Sequence, residues 1–193
     1  VKWIEDRLEH LQASVSSTNR VTTIEAAVAP DGEVTALRYH QIDDCGAYLR
    51  APEPATFYRM HGMLTGAYKV RHLEVHNQVV LTNKTPSGLV RGFGGPQVYF
   101  ALERLMQRIA VELDLDPLDV ISRNMITPDA FPYRAPAGSL YDSGNYQLSM
   151  AMAVKHNSYS AISAMWTSCW RWFRRPRLLL ARSTFFSTTP CTC

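Results

Sequence analysis

Three glycines near the middle of the chain surround a single phenylalanine, Phe93, and could bring the backbone close to a ligand: Gly92, Gly94 and Gly95. Glycine tolerates positive φ angles and places no side chain between its backbone and a neighbouring group. Pro96 follows in a position that suits the first turn of a helix. A loop that leads into a helix N-terminus presents N–H groups that can hold an anionic cofactor, although a plain tight turn without a ligand uses the same residues.

Two common nucleotide-binding motifs do not fit this loop. Gln97 stands where a dinucleotide-binding fingerprint needs its third glycine, and no Gly-Lys-Ser/Thr phosphate loop is present. The helix after Pro96 is predicted by apolar residues that recur at helical spacing: Val98, Ala101, Leu102, Leu105 and Ile109. One face of this helix can therefore anchor the loop to a core.

The ten residues 88–97 read Gly-Leu-Val-Arg-Gly-Phe-Gly-Gly-Pro-Gln and resemble the molybdopterin-binding chain of the molybdenum hydroxylases. That family includes the xanthine dehydrogenases, the aldehyde oxidases and the large subunit of carbon monoxide dehydrogenase. Further resemblance lies in residues 1–7, 114–125 and 140–144, and it ends near residue 155. We therefore expect an internal fragment of a molybdopterin-binding subunit.

The resemblance implies a molybdenum–pterin cofactor beside the loop, either molybdopterin or its cytosine dinucleotide. Arg91 would contribute main-chain contacts to the molybdenum centre, and Gly92 and Gly94 would let the backbone lie against the cofactor. Phe93 would position a planar substrate, and the alternative is a core aromatic that covers the loop. Glu74 falls where xanthine oxidases carry the arginine that orients the purine, which disfavours purine as the substrate. No side chain of the fragment is expected to bind the metal directly.

By the same resemblance, the parent enzyme would hydroxylate a C–H carbon of an aldehyde or a nitrogen heterocycle with oxygen derived from water. Electrons would leave through iron–sulfur clusters and FAD on partner subunits or domains, and the remainder of the subunit would be a further partner. The family's general base is a glutamate beyond this fragment, so we expect no catalytic residue here and no activity of the fragment alone.

Two other functions are alternatives to this one. Copper-dependent oxidation of carbon monoxide is disfavoured, because the cysteine that those enzymes use for copper is missing from residues 89–93. A stand-alone binding or interaction module that reuses the fold without molybdenum remains the alternative.

Charge and cysteine content exclude several classes of protein. Residues 1–150 contain all 17 acidic residues and 14 of the Lys and Arg residues, so they are slightly acidic, and the positive net charge of +3 comes from the six basic residues after residue 150. We therefore expect no nucleic-acid-binding surface on residues 1–150. No apolar run is long enough to span a membrane, so no membrane partner is expected. Cys45 is the single cysteine of the body, which indicates neither a disulfide framework nor a zinc site and suits a cytoplasmic setting.

Local signals predict an α+β fold in which antiparallel or mixed strands pack with helices. Residues 1–4 could finish a strand, and Asp6 then opens a capping box for a short helix whose Leu8 and Leu11 would face inward. Residues 20–29 and 33–41 predict an antiparallel hairpin around a Pro-Asp-Gly turn.

Further elements are predicted along the rest of the body. Residues 55–64 favour a short helix, and residues 68–82 favour one or two strands. Asp116 would cap a second helix that begins at Pro117, residues 127–139 would cross the surface irregularly, and a last helix would span about residues 145–156.

Three side chains would share one face of the strand before the loop: His72, Glu74 and His76. Such a set could bind a metal, and the alternative is an ordinary solvated face without a ligand.

The chain divides into a partial molybdopterin-binding domain, residues 1–156, and a tail, residues 157–193. The tail holds three of the four cysteines and no acidic residue, and it shows no helix or strand period. We expect it to lack a defined fold and to be translated out of frame. Residues 170–177 mix tryptophan with arginine, as a membrane-surface anchor would, but Pro176 and the absence of separate faces count against that function.

Overall fold

Strands and helices alternate along the chain in the computed structural model, which describes residues 1–15, 17, 19–51 and 60–156 and the backbone of residues 181–186. The helices are α1 (Arg7–Ala13), α2 (Gly95–Leu113), α3 (Pro117–Asn124) and α4 (Tyr146–His156). The strands are β1 (Asn19–Val28), β2 (Val34–Asp44), β3 (His72–Val80), β4 (Tyr133–Arg134), β5 (Leu140–Tyr141) and β6 (Ala181–Phe186). The predicted α+β class is confirmed.

The main sheet has the strand order β3-β2-β1-β6. Strands β1 and β2 form the predicted antiparallel hairpin, and Gly32 in its turn has a φ of 89°. Strand β3 pairs with β2 in parallel, with Arg38 opposite Glu74. The prediction of a strand within residues 68–82 is thereby confirmed over His72–Val80, whereas Tyr68 makes only an isolated bridge to Met125.

Helix α1 begins with the predicted capping box, in which the Asp6 side chain accepts from the Glu9 N–H and the Glu9 side chain accepts from the Asp6 N–H. Two expectations nearby are wrong. Residues 1–4 form no strand. Leu8 and Leu11 are exposed, and no residue of α1 is buried.

Helix α2 covers the inner face of the sheet. The five residues of its predicted apolar stripe are all buried. Four of them form one core cluster with Ile24, Leu37 and Tyr39 of the sheet: Val98, Leu102, Leu105 and Ile109. Helix α3 begins at Pro117 with Asp116 as its N-cap, as predicted.

The remaining elements lie around this core. The predicted helix at residues 55–64 appears as a 3-10 turn over His61–Met63, and residues 52–59 lie outside the described part of the chain. The irregular stretch contains a second 3-10 turn over Pro128–Ala130 and strand β4, which pairs with β5. The last helix, α4, confirms the prediction for residues 145–156. No helix within the described ranges is both long and apolar enough to cross a membrane.

Strand β6 pairs antiparallel with β1 and so adds six residues of the tail to the sheet. The structure differs here from the expectation of a tail without a defined fold. Backbone pairing along the edge of β1 explains the difference, because it requires no side-chain period. The rest of the tail, residues 170–177 included, lies outside the described residues, and the division at residue 156 and the frameshift stay predictions.

A buried ion pair closes the end of the sheet at which β1 begins and β2 ends. The Arg20 guanidinium donates to both carboxylate oxygens of Asp43, at 2.7 and 3.0 Å, and the two side chains are 2% and 0% exposed. Burial raises the pKa of the Asp43 carboxyl, and hydrogen bonds from Arg20 and Asn77 offset this only in part. The pair therefore depends on both members being present.

We expect Arg20→Leu to lower the free energy of unfolding by about 3–5 kcal/mol, because Asp43 then stays buried without its partner. Urea-induced unfolding monitored by circular dichroism measures the change. The matched control is Arg38→Leu, which removes an exposed arginine with two carboxylate partners on the same sheet and should lower the free energy of unfolding far less, because solvent screens an exposed pair. Equal losses in the two variants would contradict the role given to burial.

Candidate functional site

The segment that leads from β3 to the glycine loop is held against the chain that leaves β2. Backbone hydrogen bonds join Cys45 N to Val80 O at 3.0 Å, Thr82 N to Gly46 O at 2.9 Å, Ala47 N to Lys84 O at 3.0 Å and Ser87 N to Cys45 O at 3.1 Å. We refer to the two segments, residues 44–47 and 80–87, as the clasp.

The Asp44 carboxylate lies at the centre of the clasp. It accepts from the Gly46 N–H at 3.0 Å and from the Thr82 hydroxyl at 2.5 Å, and it forms an ion pair with Lys84. Burial alone would raise the pKa of this carboxyl, but the contacts with Lys84, Thr82 and Gly46 together lower it. These three contacts therefore favour the ionised form of Asp44.

Glycine is required at two points beside this segment. Gly46 has a φ of 77°, and a Cβ there would lie 2.6 Å from the Thr85 carbonyl oxygen. A Cβ on Gly88 would lie 2.1 Å from a methyl carbon of Val15, so the chain after α1 packs directly on the start of the loop.

The loop itself is a run of tight turns that ends on α2. The Phe93 N–H donates to the Val90 carbonyl at 2.9 Å, and the Gly95 N–H donates to the Gly92 carbonyl at 2.8 Å. Gly92 and Gly94 have φ angles of 88° and 81°, and Gly94 is the N-cap of α2. A side chain at either position would be strained, so the two glycines are needed for this conformation.

The N–H groups of Gly92 and Gly94 flank Phe93 and donate no hydrogen bond within the part of the chain that the structure describes. Gly92 is exposed, whereas Gly94 is buried. A buried N–H group normally has a partner, so the position of Gly94 suits an acceptor that approaches the loop. The Arg91 side chain is exposed, and the Phe93 ring is half-buried.

The residues predicted around the loop are thus brought together in one turn, but Glu74 is not among them. Glu74 lies on β3, and its carboxylate accepts from the Arg38 guanidinium at 2.8 Å. Arg38 also contacts Glu25, and these three side chains lie on the sheet face opposite to the one that α2 covers. A substrate role for Glu74 stays a prediction.

His72, Glu74 and His76 share that outer face, as the strand period predicts. The His76 ring stacks on His40 of β2 with a centroid distance of 4.9 Å. Among the residues that the structure describes, no group of three His, Cys, Asp or Glu side chains could hold a metal ion.

The sequence prediction did not identify Asp44 as a site residue. It treated the residues after Asp44 as an ordinary loop, because the partners Thr82 and Lys84 are far away in sequence. The local signal that could have found it is an aspartate two residues before a glycine, which is typical of a side chain that accepts from the backbone two residues on.

His61 follows Met60 in the chain, and the terminal methyl of Met60 would be 3.8 Å from a Cβ on Gly95. Burial lowers the pKa of the His61 imidazole, and the Arg20 guanidinium lowers it further, against a smaller opposite effect of Asp43. The neutral imidazole is therefore the form that the folded chain favours.

The sequence of this chain is similar to those of known proteins over most of its length. Residues 1–125 match the family model described as the molybdopterin cofactor-binding domain. The chain is 36% identical over 169 residues to the carbon monoxide dehydrogenase large chain of Afipia carboxidovorans, a match that covers 85% of this chain and 21% of that protein. It is 32% identical over 149 residues to the nicotine 6-hydroxylase large subunit of Paenarthrobacter nicotinovorans, covering 76% of this chain and 18% of that protein.

A solved structure has the same fold. The Cu,Mo carbon monoxide dehydrogenase in its carbon monoxide reduced state superposes with a TM-score of 0.77 at 32% identity, over 89% of this chain and 22% of that one. The chain thus spans about a fifth of the length of the curated relatives that it matches.

We expect the contribution of His61 to the stability of the fold to decrease as the pH falls below 6.5, the ordinary pKa of histidine. The unfolded chain then binds a proton that His61 in the folded chain resists, so protonation favours unfolding. Urea midpoints measured between neutral pH and about pH 5 give the slope, and His61→Gln should reduce it. His72→Gln, on the exposed face of β3, is the control that should keep the slope; an unchanged slope in His61→Gln would contradict this assignment.

Proposed function

Because the chain belongs to the molybdopterin cofactor-binding domain family, we propose that it is part of the cofactor-binding subunit of a molybdenum hydroxylase. The enzyme would hydroxylate an aldehyde or a nitrogen heterocycle at a C–H carbon with oxygen derived from water. The relatives named as large chains or large subunits support assembly with further subunits, and we propose that these carry the iron–sulfur clusters and FAD.

One observation carries this proposal: the N–H groups of two glycines with positive φ angles lie on either side of Phe93, at the N-terminus of a 19-residue helix, and donate no hydrogen bond to any of the described residues. Backbone donors at a helix N-terminus suit the anionic pterin cofactor, since the helix dipole adds to their attraction. The buried Gly94 N–H is the donor that most needs such an acceptor. The residues present therefore fit the cofactor.

When bound, the molybdenum centre would supply the oxygen transfer and accept the electron pair of the substrate. The chain's own residues would hold the cofactor and orient the substrate. The backbone at Arg91, Gly92 and Gly94 would lie along the cofactor, and the half-buried Phe93 ring would present a flat surface to a planar substrate. Stacking against an aromatic ring restricts a planar molecule to one orientation, which is how such a residue favours reaction.

The substrate class follows from the loop and from one relative. The nicotine 6-hydroxylase large subunit acts, by its name, on a nitrogen heterocycle. The solved structure given above is of a Cu,Mo enzyme, but residues 88–97 of this chain contain no cysteine that could bind copper. We therefore propose a planar organic substrate rather than carbon monoxide.

Phe93→Ala, placed in the complete parent enzyme with its partner subunits, should lower kcat/KM for a planar heterocycle or aldehyde by about 10- to 100-fold. Molybdenum content should change little, because backbone groups hold the cofactor. Steady-state kinetics and metal analysis of the same preparation give both values. The control is Phe131→Ala, which removes a half-buried aromatic that contacts Tyr146 outside the loop and should preserve turnover. Loss of molybdenum in Phe93→Ala would show instead that the ring is structural.

Gly94→Val should have the reverse effect and remove most of the molybdenum, because a β-branched residue resists the φ of 81° and would move the buried N–H. Gly138→Val provides a matched control: its φ is 102°, and a Cβ there meets no atom within 4 Å. It carries similar backbone strain away from the loop and should retain the metal.

Metal analysis of the wild-type parent subunit also decides between the proposal and its alternative. A soluble, folded protein that contains no molybdenum after expression with its partners would support a stand-alone binding module. Normal metal content in Gly94→Val would refute the assignment of the loop.

A further inference from the structure

We propose that Asp44 is a positioning residue for the cofactor loop, acting through the clasp, and this inference rests on the function proposed above. No helix or strand forms between the end of β3 at Val80 and the start of α2 at Gly95, a stretch that comprises the clasp segment and the glycine loop after it. Its position must therefore be set by contacts with neighbouring segments.

Asp44 supplies these contacts from the rigid end of β2. One carboxylate oxygen accepts from both the Gly46 N–H and the Thr82 hydroxyl, and the other pairs with the Lys84 ammonium. Both oxygens are thus used, and two of the three partners belong to the segment that leads to the loop. Hydrogen bonds to an ionised group are stronger than those between neutral groups, so they can fix this segment.

The Asp44 side chain adds a constraint to the backbone bonds of the clasp. Those bonds join Cys45, Gly46 and Ala47 to the segment, and Gly46 has a φ of 77°, one of many conformations that a glycine can adopt. The Asp44 side chain fixes the Gly46 N–H and so selects one of them. With Gly46 in place, its α carbon packs closely on Thr85 and Pro86.

The other side of the same segment is closed by the chain around α1. The Thr85 hydroxyl donates to the Gln12 carbonyl at 3.3 Å, and Val15 packs on Gly88. The segment is thereby held from two sides just before the residues that would contact the cofactor. A displacement at Thr82 or Lys84 would be passed on to the loop, because no other regular element intervenes.

The neighbouring Asp43 allows this role to be separated from general stability. Asp43 points to the inner face and pairs with Arg20, whereas Asp44 points away from that pair and contacts the clasp. Loss of Asp44 should therefore loosen the loop while it leaves the buried ion pair intact.

The experiment uses the complete parent subunit with its partners and compares Asp44→Ala with wild type. In Asp44→Ala we expect amide hydrogen exchange of residues 84–95 to become about tenfold faster, while exchange in β1 and the centre of α2 stays unchanged. We also expect most of the molybdenum to be lost.

Two variants serve as comparisons. Asp44→Asn keeps an oxygen that can accept from Gly46 and Thr82, so it should retain most of the metal and most of the protection from exchange. Glu112→Gln, which alters a carboxylate paired with Arg108 near the end of α2, should behave as wild type.

The outcomes separate the two proposals. Wild type without molybdenum would refute the proposed function, and exchange of residues 84–95 would still decide whether Asp44 holds the segment. Wild type with molybdenum, together with unchanged exchange and metal content in Asp44→Ala, would refute the positioning role alone. Faster exchange throughout the chain would also refute it, because Asp44 would then support the whole fold.

Discussion

Packing of α2 against the inner face of the sheet is the interaction on which the other features depend. Each large apolar side chain that this helix buries contributes about 1.5–3 kcal/mol, and Leu102, Leu105 and Ile109 are at most 1% exposed. Because the helix is fixed along its length, its first turn is fixed as well, and the glycine loop has a rigid end point at Gly95. The loop can therefore keep its run of tight turns, with Gly92 and Gly94 at positive φ angles, without collapsing onto the core.

Two adjacent aspartates at the end of β2 have different roles: one stabilises the core, and the other contacts the segment before the candidate site. The side chains of successive strand residues point to opposite faces, so Asp43 enters the buried layer and Asp44 reaches the clasp. The buried carboxylate ties β1 to β2, and its neighbour ties β2 to the segment before the loop. A single strand end thus relates the core to the candidate cofactor site.

Much of this architecture could be predicted from local sequence patterns. The apolar stripe of α2, the Asp6 capping box and the turn at Gly32 depend on residues a few positions apart, and the structure has all three. The exposure of Leu8 and Leu11 could not be predicted, because a short amphipathic helix is consistent with either environment. Nor could the sequence show which strand lies beside β3, since parallel pairing leaves no local signal.

The candidate site was predictable only in part, for the same reason. The glycine loop is a contiguous string and was found directly, whereas the contact between Asp44 and Thr82 joins residues 38 positions apart. The substrate role of Glu74, which rests on an alignment of spacing, stays a prediction, and its carboxylate lies on the outer face with Arg38. Spacing along a strand gives the face of a residue relative to its neighbours but does not say which face the helix covers.

The parallel pairing of β2 with β3 also determines the order in which the chain can fold. The β1–β2 hairpin closes a short turn, whereas Arg38 meets Glu74 only after 36 residues have been brought back to the sheet. Long loops lose more entropy on closure, so contacts of high sequence separation form later. The hairpin can form early, but the clasp can form only after β3 has paired with β2. We therefore expect the glycine loop to be among the last regions of the chain to reach its final geometry.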